Sequence, residues 1–183
     1  MISRRRMLIA SGLAGSMALW SRWLLGAPAS ASASTARQIS LSNLHTGERL
    51  KVEYFRDDAY VSDALNAIEV LLRDFRNGEK HAIDPKLMDY LVDVAARIGV
   101  PPAYVVISGY RSPETNERLH ERSSGVSQHS LHMQGRAIDV RMNGVDCKDL
   151  AAHAEQLKRG GVGFYRASNF VHLDTGAFRT WRG

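Results

Sequence analysis

The chain of 183 residues suffices for one compact domain with a buried core plus a short additional segment, and its 44% hydrophobic and 23% charged content excludes a disordered or fibrous protein. The formal net charge of +5 sits mostly in residues 1–33, which hold four of the 24 basic residues and no acid; the remainder is nearly balanced, so the clustered basic face of a nucleic-acid binder is not expected. Cys147 is the single cysteine, which excludes an internal disulfide and a CxxC metal site.

Residues 1–33 read as a twin-arginine export signal. Ser3-Arg4-Arg5-Arg6-Met7-Leu8 supplies the charged start, Met7–Trp20 is weakly apolar, and Ala29-Ser30-Ala31 and Ala31-Ser32-Ala33 both fit a small-x-small cleavage site. A retained membrane anchor is the alternative, but Ser21-Arg22 interrupts the run and Pro28 follows soon after, short of the ~20 apolar residues a span needs. The expected layout is therefore a leader over 1–33 and one domain over 34–183, located in the periplasm, monomeric, with no membrane span once the leader is removed.

Within the domain, Ile39–Phe55 predicts a β-hairpin turning at His45-Thr46-Gly47-Glu48. Val61–Phe75 predicts a helix capped by Ser62 or Asp63, with Leu65, Ile68 and Leu72 on one stripe. Asp84-Pro85 opens a second helix, as cap and first-turn proline, which Gly99 closes. Tyr104–Ser108 follows as a short strand, Ser112-Pro113-Glu114 starts a polar helix to about Arg122, and Ser123–Gln128 is a loop. Ala137–Met142 alternates as a strand, Asp146–Arg159 is a fourth helix, and Gly161–Tyr165 and Phe170–Asp174 close the chain as paired strands. Mixed strands and helices ending on a hairpin favour an α+β fold, a mostly antiparallel sheet flanked by helices.

Three residues carry the chemical signal. On Ala137–Met142, Ile138, Val140 and Met142 point to one face, leaving Asp139 on the other with Ala137 and Arg141. On Phe170–Asp174, Val171 and Leu173 share a face, and Phe170, His172 and Asp174 take the opposite one. If the two strands are neighbours, Asp139 and His172 converge, and His132 reaches them from a turn that Gly135 allows. Two imidazoles and one carboxylate leave a fourth tetrahedral position open, the arrangement of catalytic zinc. The plainer alternative pairs Asp139 with Arg136 or Arg141. These two arginines also make a basic cluster suited to an anionic substrate. His45, His81, His120 and His153 fall on polar stretches and are not expected to bind metal.

Ser108-Gly109-Tyr110-Arg111-Ser112, then Ser130-Leu131-His132-Met133-Gln134-Gly135-Arg136-Ala137-Ile138-Asp139, then Asn169-Phe170-Val171-His172-Leu173-Asp174-Thr175-Gly176 together resemble a zinc peptidase family. That family includes D-alanyl-D-alanine carboxypeptidases, VanX dipeptidases and, by fold, the hedgehog signalling domain. Its exported murein endopeptidases are the most similar branch, since the leader, Leu44-His45-Thr46-Gly47-Glu48, Ile83-Asp84-Pro85 and Gly160-Gly161-Val162-Gly163 are alike as well. The resemblance implies a hedgehog-like or DD-peptidase-like fold, Zn2+ held by His132, Asp139 and His172, an oxyanion-stabilising Arg111, and a Ser130 that holds the substrate backbone or orients His132. It also implies peptidoglycan stem peptides as substrate, with diaminopimelate–diaminopimelate cross-links as the cleaved bond.

One departure bears on mechanism. Many members carry an acid three residues before the late His as general base, and Asn169 stands there in this chain. An amide does not take that proton at neutral pH, so Asp174 and His129 are the two candidates for the role. A terminal D-alanine carboxypeptidase, or a zinc-stabilised wall-binding module without turnover, remain the competing functions.

Overall fold

The computed structural model describes residues 36–123 and 125–183; the leader reading falls on residues outside that range. An eight-stranded sheet runs in the order β3-β2-β1-β4-β5-β7-β6-β8, built from β1 (Arg37–Asn43), β2 (Arg49–Arg56), β3 (Ala59–Tyr60), β4 (Ala103–Ser108), β5 (Ala137–Arg141), β6 (Gly161–Tyr165), β7 (Phe170–Asp174) and β8 (Arg179–Arg182). Pairings β1–β4 and β6–β8 are parallel; the other five neighbouring pairs are antiparallel. Four helices accompany it: α1 (Ser62–Leu71), α2 (Pro85–Ile98), α3 (Pro113–Arg122) and α4 (Cys147–Leu157). The mixed helix-and-sheet content is that of an α+β domain. No helix among the described residues is long and apolar enough to cross a membrane.

Alternation builds the core. Ile39 and Leu41 of β1, Val106 of β4, Ile138 and Val140 of β5, Val162 of β6 and Val171 and Leu173 of β7 are all buried in one cluster with Leu87, Met88, Leu91 and Val94 of α2 and Leu150, Ala151 and Ala154 of α4. Filling one face with branched apolar side chains commits the intervening residues to the other. Helix α2 begins as its sequence dictates: the Asp84 carboxylate accepts from Lys86 N at 3.0 Å, Pro85 takes the first turn, and Gly99 ends the helix at φ 85°. Asp146 caps α4 in the same way, and Ser112 caps α3.

Helix α1 departs from expectation. It stops at Leu71 rather than Phe75, and Val61 precedes it without a side-chain cap. The reason lies in distant partners. Leu72 O accepts from Tyr110 N at 2.7 Å, and Phe75 stacks on His45 at 4.0 Å between ring centres. The released segment carries Asp74, whose fully buried carboxylate accepts from Ser112 N and Ser112 Oγ, both at 3.0 Å. Burial alone would raise the Asp74 pKa, but hydrogen bonds from Thr115, Ser112 and Arg76 outweigh it and hold it below the usual range.

Gly135 ends a single 3-10 turn, Leu131–Gln134, with φ 64°. A β-carbon there would lie 2.0 Å from Ala82 O, a backbone atom. Gly135→Ala is therefore expected to cost roughly 2–4 kcal/mol, combining left-handed strain with a backbone clash. Urea unfolding monitored by circular dichroism checks this; a loss under about 0.5 kcal/mol would contradict the tight approach.

Candidate metal centre

Register brings the chemistry together. Asp139 of β5 pairs directly with His172 of β7. Ser108 of β4 lies across from Asp139, Gly163 of β6 across from His172, and Trp181 of β8 across from Gly163. Directly paired residues share a face, so these five form one row across five strands. His132 joins from the 3-10 turn, where its N–H is received by Ser130 Oγ at 3.4 Å and its carbonyl accepts from Arg111 N at 3.2 Å.

Each imidazole is anchored by its outer nitrogen. His132 Nδ1 is 2.6 Å from Gly109 O, and a carbonyl can only accept, so Nδ1 carries the proton and Nε2 presents a lone pair. His172 Nε2 is 3.0 Å from Asp174 Oδ2, which assigns its proton likewise and turns Nδ1 inward. The inner atoms then meet: His132 Nε2 to His172 Nδ1 is 3.2 Å, His172 Nδ1 to Asp139 Oδ1 is 3.0 Å, and His132 Nε2 to Asp139 Oδ1 is 3.3 Å. All three residues are buried. Three lone pairs facing one point repel unless a cation or proton lies among them.

Electrostatics agree with that picture. Burial opposes a charged Asp139, but His132 and His172 outweigh it and hold the carboxyl far below its usual range. Burial also opposes a protonated His172, yet Asp139 and Asp174 together raise it to about 9. His132, buried first of all and set near the Arg111 cation and His172, is pushed down despite Asp139. The free site therefore keeps its one extra proton on His172.

A cavity of about 500 Å3 opens over this cluster, lined among others by Arg111, His129, Ser130, Tyr165, Phe170, Arg179 and Trp181. Arg111 is buried. Its Nη2 is 3.5 Å from Asp139 Oδ2, its Nη1 donates to Asn116 Oδ1 at 3.2 Å, and its Nε has no partner among the described residues. Ser130 is buried at the wall, and His129 is exposed at the rim with no described partner for its ring. Asp174 is not in the wall. It lies behind His172, its oxygens accepting from Gly161 N at 3.0 Å, Gly176 N at 2.8 Å and Arg179 Nη2 at 2.6 Å, which suits it to fixing the imidazole rather than to receiving a substrate proton. Asn169 occupies the β6–β7 turn at φ 51°, exposed and outside the wall, in a conformation asparagine tolerates.

The basic cluster expected of Arg136 and Arg141 does not face the cavity. Arg136 turns away from the cavity, donating to Thr175 O at 2.6 Å and Thr175 Oγ1 at 3.2 Å beside Asp84, and Arg141 does not line it either. Arg111 and Arg179 provide the cationic lining instead. Tyr165, Arg179 and Trp181 carry no sequence signal for this site, whereas Phe170 has one, since alternation puts it on the strand face of His172.

A family model described as "Peptidoglycan L,D-endopeptidase MepK" matches residues 31–181. The chain belongs to this family. It is 39% identical to "Peptidoglycan L,D-endopeptidase MepK" of Escherichia coli (strain K12) over 181 residues, covering 98% of this chain and 97% of the relative. The "Probable peptidoglycan L,D-endopeptidase MepK" of Haemophilus influenzae is 39% identical over 148 residues, 80% of each chain. No solved structure gives a significant match. The match to the MepK family model spans residues 31–181 and so includes all three converging side chains.

A pH dependence follows for the metal-free protein. The His172 pKa is raised above its unfolded value of about 6.5, so the associated stability is complete below pH ~6.5 and is lost as pH rises through about 9. The loss is on the order of 3 kcal/mol. Melting temperature measured in a chelator across pH 6 to 10 should fall in this window, and His172→Gln should flatten the fall. An unchanged slope in that variant would contradict the assignment.

Proposed function

We propose that this chain is an exported zinc-dependent peptidoglycan endopeptidase that hydrolyses peptide cross-links between stem peptides, with diaminopimelate–diaminopimelate links as the preferred bond. The carrying observation is the convergence of His132 Nε2, His172 Nδ1 and Asp139 Oδ1 within 3.3 Å of one another, each aimed at a common point. Donors of a tetrahedral zinc site with bonds of 2.0–2.1 Å are separated by about 3.3–3.4 Å, so the spacing fits. Two imidazoles and one carboxylate also fit better than the all-oxygen sets of calcium or magnesium. The names of the MepK relatives support the substrate class and the L,D bond.

A zinc ion held there would supply Lewis-acid polarisation and a nucleophile usable at neutral pH. The chain's own residues do the rest. Arg111 stands beside Asp139 with its Nε unengaged, and stabilises negative charge that develops on the carbonyl oxygen of the scissile peptide. Ser130 holds the turn that carries His132. Asp174 fixes the orientation of His172 from behind. Among the described residues the cavity lining includes one carboxylate, Asp139, already engaged with both imidazoles, so His129 at the rim takes and returns the proton. Residues 1–33 act as a cleaved twin-arginine leader and deliver the domain to the periplasm, where its substrate lies.

The deciding experiment is digestion of purified cross-linked muropeptides. Dimers should yield monomers, His132→Ala and Asp139→Ala should reduce the rate to that of buffer, and chelation should abolish activity that zinc restores. Shortened monomers without cleavage of dimers would instead mark a carboxypeptidase. His129→Ala should lower kcat roughly 100-fold with zinc content unchanged, and Asp174→Asn should weaken zinc binding by roughly 10- to 100-fold; metal analysis and steady-state rates separate the two effects.

A further inference from the structure

On the β6–β8 side of the cavity, three aromatic residues make a wall that the hydrolytic roles above leave unused. Trp181 sits directly over Gly163, where a β-carbon would lie 2.4 Å from the indole Cε2. The missing side chain lets the indole reach the His172 ring, 5.1 Å away between centres, and Arg179 braces it from its other contacts at 5.1 Å from the indole centre. Tyr165 stacks on Phe170 with ring centres 4.5 Å apart and planes at 16°. Trp181 Nε1 donates to Tyr165 Oη at 2.9 Å.

That last bond fixes a direction. An indole N–H donates and never accepts, so Tyr165 Oη is the acceptor and its own proton must turn elsewhere. No described residue receives it. Tyr165 lines the cavity together with Arg111. A rigid donor, braced on two sides and lacking a partner, is a preset contact for an acceptor oxygen.

We propose that Tyr165 is a substrate-binding donor, its hydroxyl aimed by the positioning residue Trp181 at a peptide oxygen of the bound cross-link. This rests on the peptidase reading of the same cavity. Its chemistry is ground-state recognition of an extended peptide, separate from the charge stabilisation assigned to Arg111. Gly163 is part of the device, because any side chain there displaces the indole.

The test is calorimetric binding of a purified cross-linked muropeptide dimer to metal-free protein, in which cleavage is silent. Tyr165→Phe keeps the ring stack and removes the donor; affinity should fall about tenfold, the size of one well-made hydrogen bond. Trp181→Phe keeps a ring over Gly163 and removes the N–H, and should weaken binding less. The double variant should bind no worse than Tyr165→Phe alone, since the tryptophan acts through the tyrosine. In the zinc-loaded enzyme KM should rise with zinc content unchanged. Wild-type affinity in Tyr165→Phe, or losses that multiply in the double variant, overturn the proposal; the single tyrosine variant decides the matter if Trp181→Phe does not fold. Wild type that cuts the dimer while Tyr165→Phe binds normally sinks this inference and spares the peptidase reading. Wild type that binds without cutting, with binding weakened in Tyr165→Phe, does the reverse, and wild type that neither binds nor cuts sinks both.

Discussion

Two imidazoles and a carboxylate that turn their lone pairs toward one buried point cannot rest there on packing alone. Their mutual repulsion must be offset by positive charge, and the geometry gives that charge one position. In the metal-free protein the compensation is a proton on His172, held by Asp139 on one side and Asp174 on the other. In the proposed enzyme a divalent ion takes its place, so metal uptake and proton release are one event. Everything around the cluster serves this constraint: Gly109 O fixes one ring, Asp174 the other, and Arg111 bears on the carboxylate.

The sheet delivers this arrangement through register. A strand with apolar residues at every second position has no freedom to rotate, because a one-residue slip would bury the wrong side chains. Ile138 and Val140 thus set Asp139, and Val171 and Leu173 set His172, before any chemistry is considered. The same row continues through Gly163 to Trp181, so the gap left by one glycine links His172 to the aromatic wall. The base of the cavity is buried and its rim, where His129 is exposed, is accessible; in the proposed mechanism the first holds an ion and the second moves a proton.

Local patterns were the legible part. Period-two alternation put Asp139 and His172 on matching faces, and Asp84-Pro85 with Gly99 delimited α2, because each depends on residues only a few positions apart. Strands Gly161–Tyr165 and Phe170–Asp174 have the bounds expected of them. Long-range partners were the illegible part. The end of α1 is decided by Tyr110, and Arg136 is drawn off the cavity by Thr175 and Asp84. Trp181 matters only through a parallel pairing with β6 that no local motif encodes. Asp174 was correctly placed on the face of His172, but a shared face does not tell which side of an imidazole a carboxylate occupies. That side separates a proton acceptor in the cavity from a clamp behind the ring.

The most direct measurement is zinc K-edge absorption spectroscopy on protein loaded with one equivalent of the metal. On this account the edge should report two imidazole nitrogens and one carboxylate oxygen at about 2.0–2.1 Å, and the imidazole scattering should drop by about half in His132→Ala and again in His172→Ala. A loaded ion whose spectrum is unchanged by either substitution would contradict it, because the three side chains would then be gathered around something other than a metal.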